Sequence, residues 1–563
     1  MCRFLRFVVE ESLNGRESDL KESVIASAVF DRDGSYEPGN DPVVRVEARR
    51  LRAKLEEYYR SDGAAAAMVI KLPKGGYSPV YEQVESSPKR TRWKPVALAA
   101  AVIAAGVATW FGVGAIRDPR PASPSVAVLP FSNLSPQTEI GYFCDGLTEQ
   151  LIDVISHLDG VRVPGRTSSF LFRGTNTDLK TIGAKLGVRH VVDGSVRKEG
   201  DRLRITAHLI AVDTGFQLWS QTYERKLSDL FALEDEISQA VANALRVRMT
   251  PKIQKRRTGN SEALRLYLLG RFYWYESRGN TTDLDRAVGY FEQAIQNDPG
   301  FAMAYASLAR AYSRLEALAP DARENPFPKA KSAARRALEI DETSVEAVVA
   351  LGVIKLFEWD WPGAEREFRL ALTLDPKSAQ AHGEYAFYLA AMGRISDAIE
   401  ESALSLDLDP LSLAENLRHG NMLMYAHRLE EAAARFRKAA ELEPKSQWPA
   451  RGLGRVYLLM DKYPDALAQF AGNPLWTAIT LASAGRLEEA RKVTLPQLNN
   501  WVELAAYWSA LGETEKALAS LDKAYRARST DLSSLKFDPQ WASLRGQPRA
   551  QAVLKDMGIA GQP

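Results

Sequence analysis

Residues 351–376 read LGVIKLFEWDWPGAEREFRLALTLDP, and residues 385–410 read YAFYLAAMGRISDAIEESALSLDLDP. The two stretches are the same pattern displaced by 34 residues, and the displacement recurs along the C-terminal half. Gly352, Ala386, Gly420 and Gly454 are 34 apart, as are Ala364, Ala398, Ala432 and Ala466, and Pro376, Pro410 and Pro444. Phe368, Phe436 and Phe470 hold one further position, with Ser402 in the slot between. Small residues at two fixed positions let antiparallel helices approach. A proline after the second helix turns the chain into the next pair. Flanking copies are degenerate. Gly270, Ala287, Phe291, Ala294 and Pro299 form one, with an insertion around Arg278–Thr282. Ala309, Tyr312, Ala330 and Ala337 form another, with a longer insertion around Ala317–Pro328, and two weaker copies surround Ala490 and Ala517.

This spacing resembles the tetratricopeptide repeat (TPR), in which a small residue, two alanines, an aromatic residue and a proline recur every 34 residues. The resemblance implies an all-α superhelix of about eight repeats over residues 261–540. Its inner groove would suit a protein or peptide partner. Phe537–Gly558 reads as a terminal capping segment, with residues 541–563 as cap and tail.

The rest of the composition narrows the options. The chain has 563 residues, 45% apolar and 26% charged, which fits several globular domains. A net charge of +2 leaves any nucleic-acid site to a local patch. Two cysteines, Cys2 and Cys144, exclude a disulfide framework and a cysteine-rich zinc site. The six histidines form no metal-ligand pattern, so neither a metal nor a cofactor is expected.

PVALAAAVIAAGVATWFGVGAI (residues 95–116) contains no charge. Its 22 residues would make a helix of about 33 Å, enough to cross a bilayer core. One transmembrane helix is therefore expected, between a basic linker at 84–94 and a second linker at 117–124. Lys89, Arg90, Arg92 and Lys94 precede the span, against Arg117 and Arg120 after it. That bias places the N-terminus in the cytoplasm and the C-terminal part in the periplasm of a bacterial inner membrane.

Residues 1–83 read as three helices and a hairpin. Phe4, Leu5, Phe7, Val8 and Leu13 mark the first helix, ending near Asn14-Gly15, and Leu20 to Phe30 the second. Asp41-Pro42 signals the start of the third, VVRVEARRLRAKLEEYYR (43–60). Val44, Ala48, Leu51 and Leu55 form its apolar face, while Arg45, Arg49, Arg50, Arg52 and Lys54 make the rest basic. MVIKLPKGGYSPVY (68–81) follows as strand, glycine turn and strand, with Lys71 and Lys74 beside the turn. The RxLRxKL-like helix followed by Gly76-Tyr77 resembles the α+β winged-helix domain of OmpR/PhoB-type regulators. That resemblance implies DNA contact by Arg45, Arg49, Arg50, Arg52, Lys54, Lys71, Lys74 and Tyr77. The abrupt opening Met1-Cys2-Arg3-Phe4 leads us to expect a missing N-terminal turn or a late start codon.

Residues 125–248 alternate strands and helices, with a linker at 249–260 behind them. VAVLPFSNLS (126–135), DGLTEQLIDVIS (145–156), GVRHVVDGSV (187–196) and LWSQTYER (218–225) resemble, in order, the TolB N-terminal/FlgO-like α/β domain. Such domains bind and assemble. Asp145, Glu149 and Asp153 share one helix face and are expected as a solvated acidic stripe rather than as acid and base. No nucleophile elbow or Walker loop is present, and Cys144 is expected as a small packed residue. The FlgO-like and TPR portions resemble those fused to class III nucleotide cyclases, but no cyclase catalytic domain is found. The expectation is that the chain is not an enzyme.

The order of these parts resembles ToxR/CadC-like membrane regulators. It implies a single-pass transcriptional regulator with DNA, membrane and protein partners, and a possible homodimer that would raise DNA affinity. The alternative is an envelope scaffold or assembly protein that binds peptides in the TPR groove without binding DNA.

Overall fold

The computed structural model describes residues 2–16, 20–30, 43–60, 68–73, 76–83, 124–135, 140–200, 202–226, 230–247, 258–277, 280–318, 326–495 and 500–559. The chain divides into two compact units, Met1–Pro119 and Arg120–Pro563.

In the first unit, helices Cys2–Leu13, Glu22–Phe30 and Val43–Arg60 precede an antiparallel pair, β1 (Met68–Lys71) and β2 (Val80–Gln83). Phe4 and Val8 from the first helix meet Ile25, Ala26 and Val29 from the second. Val44, Ala48 and Leu51 close the core from the third, with Leu55 at its margin. The first helix buries less than its sequence pattern predicts: Leu13 is 72% exposed, since the chain turns away at Gly15 (φ +74°). The start signal Asp41-Pro42 lies outside the described residues.

The second unit begins with an α/β region. Its sheet runs β3 (Val126–Val128), β5 (His190–Glu199), β6 (Arg202–Ala211), β7 (Gln217–Arg225), with β4 (Ser132–Asn133) also on β5. β3 and β4 are parallel to β5, while β5, β6 and β7 form an antiparallel meander. Helices Gly141–Ser156 and Leu230–Leu245 share one core with the sheet face carrying Val192, Val196, Ile205 and Leu209. Helix Leu179–Leu186 lies over the opposite face, in a cluster with Val191 and Val212. Asp178 caps it by accepting from Thr181 N at 2.9 Å, and Gly187 ends it at φ +66°. The first strand of this region stops at Val128, and β4 resumes only at Ser132. Residues 161–163 contribute only a bridge from Arg162 to Ser125.

Eight helical hairpins follow among the described residues. They are 261–276 with 281–297, 302–318 with 327–340, 345–357 with 361–374, 379–391 with 395–408, 413–425 with 429–442, 447–459 with 463–469, 474–483 with 487–492, and 501–510 with 514–526. First helices of neighbouring hairpins also touch one another and line one inner face. The repeating glycine and phenylalanine prove to be direct contacts. A Cβ on Gly352 would stand 2.7 Å from the Phe368 ring, on Gly420 2.9 Å from Phe436, and on Gly454 2.6 Å from Phe470. Gly270 does the same with Phe291 at 2.5 Å, despite the insertion between them. Where the repeat carries Ala386 and Ser402 instead, the serine hydroxyl pairs with His419 Nδ1 at 2.9 Å.

The expected transmembrane helix is corrected. Among the described residues no helix is long and apolar enough to cross a membrane. Val43–Arg60, with 18 residues, carries charges along its length, and the repeat helices are short pieces buried on one another. Residues 95–116, where the span was expected, lie outside the described residues. Nothing among the described residues supports the single-pass inner-membrane placement, its cytoplasmic and periplasmic sides, or the membrane as a partner.

Candidate functional site

The basic third helix of the first unit is partly committed to its own fold. Arg52 donates from Nε to Leu72 O at 3.0 Å and Pro73 O at 3.2 Å, and from Nη2 to Gly76 O at 2.9 Å. It ties helix to hairpin. Arg45 pairs with Glu22 at 3.0 Å and Arg50 with Glu47 at 2.6 Å. Arg49 and Lys54 are exposed on the same helix, and Lys71 is exposed at the end of β1. Tyr77 is half-buried against Phe4 at 6.3 Å between ring centroids, and burial together with Glu22 raises its hydroxyl above the usual tyrosine range. The structure thus gathers Glu22, Arg45 and Arg52 around Tyr77. Lys74 lies outside the described residues. Arg52→Ala is expected to cost the first unit about 1–2 kcal/mol by removing the bonds to the hairpin carbonyls. Faster amide exchange in 68–73 and 76–83 would register the loss, and unchanged exchange would show that Arg52 braces nothing.

The larger polar constellation lies in the second unit, between the α/β region and the inner face of the repeats. Helix Gly141–Ser156 carries Asp145 and Glu149 into it. Arg271, from the first hairpin, donates to Glu149, to Glu346 at 2.8 Å and to Ser307 at 3.2 Å. Tyr275 donates to Glu149 at 2.9 Å, and Arg310 reaches Glu346 at 2.6 Å. Asp145 pairs with Arg173 at 2.5 Å. Burial nevertheless lifts its carboxyl above the ordinary aspartate range, against the pull of that arginine. Arg166 lies between the rings of Tyr275 (3.4 Å) and Phe170 (3.8 Å). Two members of the acidic stripe expected in solvent, Asp145 and Glu149, therefore form an interior seam, their side chains only 10% and 15% exposed, while Asp153 is partly exposed. Buried charges of this kind persist only when paired on several sides.

Further along, the loops between repeats grip residues 156–168. Lys377 donates to Ser156 O at 2.6 Å and Val161 O at 3.1 Å, and Arg162 meets Asp407 at 2.6 Å. Gly165 N bonds Leu408 O at 2.8 Å, while Ser168 donates to Asp409 from N at 2.9 Å and from its hydroxyl. The Ser168 hydroxyl in turn accepts from Leu411 N at 2.8 Å. Leu411 joins Ala127, Ile182 and Val191 in the α/β interior. No sequence motif announced these contacts.

Asp409 faces neutral donors rather than an arginine, and burial raises its carboxyl to about 6 against the pull of the Ser168 bonds. The unfolded value lies near 4. Between about pH 4 and 6 the folded chain holds a proton that the unfolded chain has released, so stability falls as pH rises through that window. Above it the full cost, on the order of 3 kcal/mol, is present. Asp409→Asn is expected to melt higher than wild type at about pH 7.5 and level with it at about pH 4. A constant difference across that range would remove Asp409 as the cause.

Cys144 is buried beside this seam, its thiol pushed up to about 12 by burial and then by the Asp145 charge. Among the described residues no cluster of metal-ligating side chains occurs.

The fold and the seam define a helical-repeat protein that carries an α/β region on its inner face. No family model matches the chain. It is similar to a curated protein of Rhizobium meliloti (strain 1021) named "Putative adenylate cyclase 3", 40% identical over 191 residues. That match covers 34% of this chain and 32% of the relative, so the chain spans about a third of that relative's length. The likeness corrects the expectation that the chain is not an enzyme, since a protein bearing a cyclase name shares this much of it.

Similar solved structures include a thermophilic TPR protein of Thermus thermophilus (19% identity, 35% of this chain and 99% of that one, TM-score 0.30). PilF of Pseudomonas aeruginosa is another (18%, 43% and 97%, TM-score 0.27). A third is a tetratricopeptide repeat protein from Parabacteroides merdae (15%, 50% and 98%, TM-score 0.29). The repeat fold itself rests on the hairpins and their glycine–phenylalanine contacts.

Proposed function

We propose that the chain is a protein-interaction scaffold, with the repeat array as the platform on which the α/β region is held and shown to a protein partner. The seam from Glu149 through Arg271 to Glu346 carries this reading, because it fixes the α/β region to the first hairpin through Arg271, which also bonds Ser307 and Glu346 of the next two. A photo-reactive residue at Trp448 (44% exposed) or Leu404 (49% exposed) of the full chain tests it in cells. A discrete protein adduct from either site is the expected result, and none from both would count against the scaffold.

A second reading draws on the 191-residue likeness to a cyclase-named protein: the chain takes part in nucleotide cyclisation. Incubating the full chain with ATP and a divalent cation, and assaying cyclic AMP, separates this reading from a pure scaffold.

For residues 1–83 we propose a winged-helix reading in which Arg49, with Lys54 and Lys71, contacts DNA. The exposure of Arg49 opposite the core residues Val44, Ala48 and Leu51 supports it. A mobility-shift titration of the full chain against Arg49→Ala tests it. Equal binding, or none, would remove DNA as a partner. The same titration with Arg52→Ala would report the helix–hairpin brace instead of a base contact.

A further inference from the structure

After the last hairpin the chain does not simply cover its end. Beyond Arg528 (φ +50°) it makes short 3-10 turns at Thr530–Lys536 and Pro539–Trp541, then helix Pro548–Asp556. This segment runs back along the inner face of earlier hairpins. Phe537 meets Tyr425 edge-on, with ring centroids 4.8 Å apart, and Phe387 at 6.3 Å. The next residue, Asp538, is 2% exposed and accepts two bonds from Arg455 Nη2, at 2.5 and 2.7 Å. Lys536 donates to Met392 O at 3.2 Å. Trp361 donates from its indole to Met557 O.

Phe387, Tyr425 and Arg455 belong to the first helices of hairpins four, five and six, the helices that line the inner face. Two aromatic side chains and one buried arginine thus hold an aromatic residue and the carboxylate that follows it. This is the chemistry of a groove that reads a linear segment: the aromatic side chain supplies apolar area, and the ion pair fixes direction and register.

We propose that the inner face of hairpins four to six is a receptor for a protein segment bearing an aromatic residue followed by aspartate, with residues 529–545 as its intramolecular occupant, displaced when such a partner binds. The proposal rests on the scaffold reading and names the chemistry of its partner. Covalent attachment gives the occupant an effective concentration on the order of millimolar, so a partner must bind well or arrive when the segment is loosened.

The probe is a labelled peptide of residues 529–545, STDLSSLKFDPQWASLR, added to the full chain. Wild type is expected to bind it weakly. Phe537→Ala and the milder Asp538→Asn, made in the chain, are each expected to bind it at least tenfold tighter. A peptide carrying both substitutions should not bind, and adding Arg455→Met to either chain should abolish binding. If a folded variant binds both peptides equally, or neither, the receptor site does not exist. If neither variant folds, the segment is a core element rather than a displaceable occupant, and the proposal fails in that way. Failure here with the cross-link at Trp448 intact removes the receptor and leaves the scaffold.

Discussion

Ala398→Arg is expected to destroy the cooperative melt of the repeat array, at a cost of about 3–5 kcal/mol or more. Ala398 is fully buried in the second helix of the fourth hairpin and packs within the cluster that holds Tyr388, Leu389 and Met392. The same slot is alanine in the neighbouring hairpins, at Ala364, Ala432 and Ala466, all fully buried. An arginine there must either push the helices apart or leave a guanidinium without a partner. Overpacking alone costs about 1–3 kcal/mol, and an uncompensated buried charge about 3–5 kcal/mol. Repeat arrays are stabilised by nearest-neighbour contacts, so the damage should spread to hairpins three and five. A thermal melt of the full chain indistinguishable from wild type would mean that the 34-residue register has been misplaced.

Arg271→Met tests the seam. The substitution keeps much of the volume but removes the cation shared by Glu149 and Glu346. Arg310 still reaches Glu346, whereas Glu149 is left with the neutral Tyr275 hydroxyl at 2.9 Å and with Arg166 only at 3.8 Å. The expected loss is about 3–5 kcal/mol, read as a lower melting point and as faster amide exchange over Gly141–Ser156. Adding Glu149→Gln should recover a large part of that loss, because the second change removes the stranded charge. If the double variant is no better than the single one, the seam is an incidental surface contact.

These two variants also mark what the sequence could and could not reveal. The register around Ala398 was legible because glycine and phenylalanine stand 16 residues apart in three hairpins, and that spacing is a physical contact. A further local signal has the same period: Ser344, Ser378, Ser412 and Ser446 each sit at a helix N-cap. The apolar face of the basic helix was legible for the same reason, since Val44, Ala48 and Leu51 repeat at helical spacing. The seam was not. Glu149 and Arg271 lie 122 residues apart, and nothing local distinguishes a carboxylate awaiting a distant arginine from one facing water. Asp145 and Glu149 look solvated when only their own helix is considered, because the element that buries them is far away in the chain. Arg52 misleads in the same manner. Its neighbours in sequence make it one of a basic row, while its true partners are backbone carbonyls some 20 residues on. Periodicity reports what an element buries and says little about which far element receives it.

Cys144 gives the protein a built-in reporter. A thiol reacts through its thiolate, and one buried under this core and raised to about 12 offers almost none at neutral pH. In a Cys2→Ser chain, alkylation would therefore proceed only through moments when helix Gly141–Ser156 lifts away from the sheet. The labelling half-time then becomes a clock for that opening. It would run faster in Arg271→Met and slower in Asp409→Asn near neutral pH.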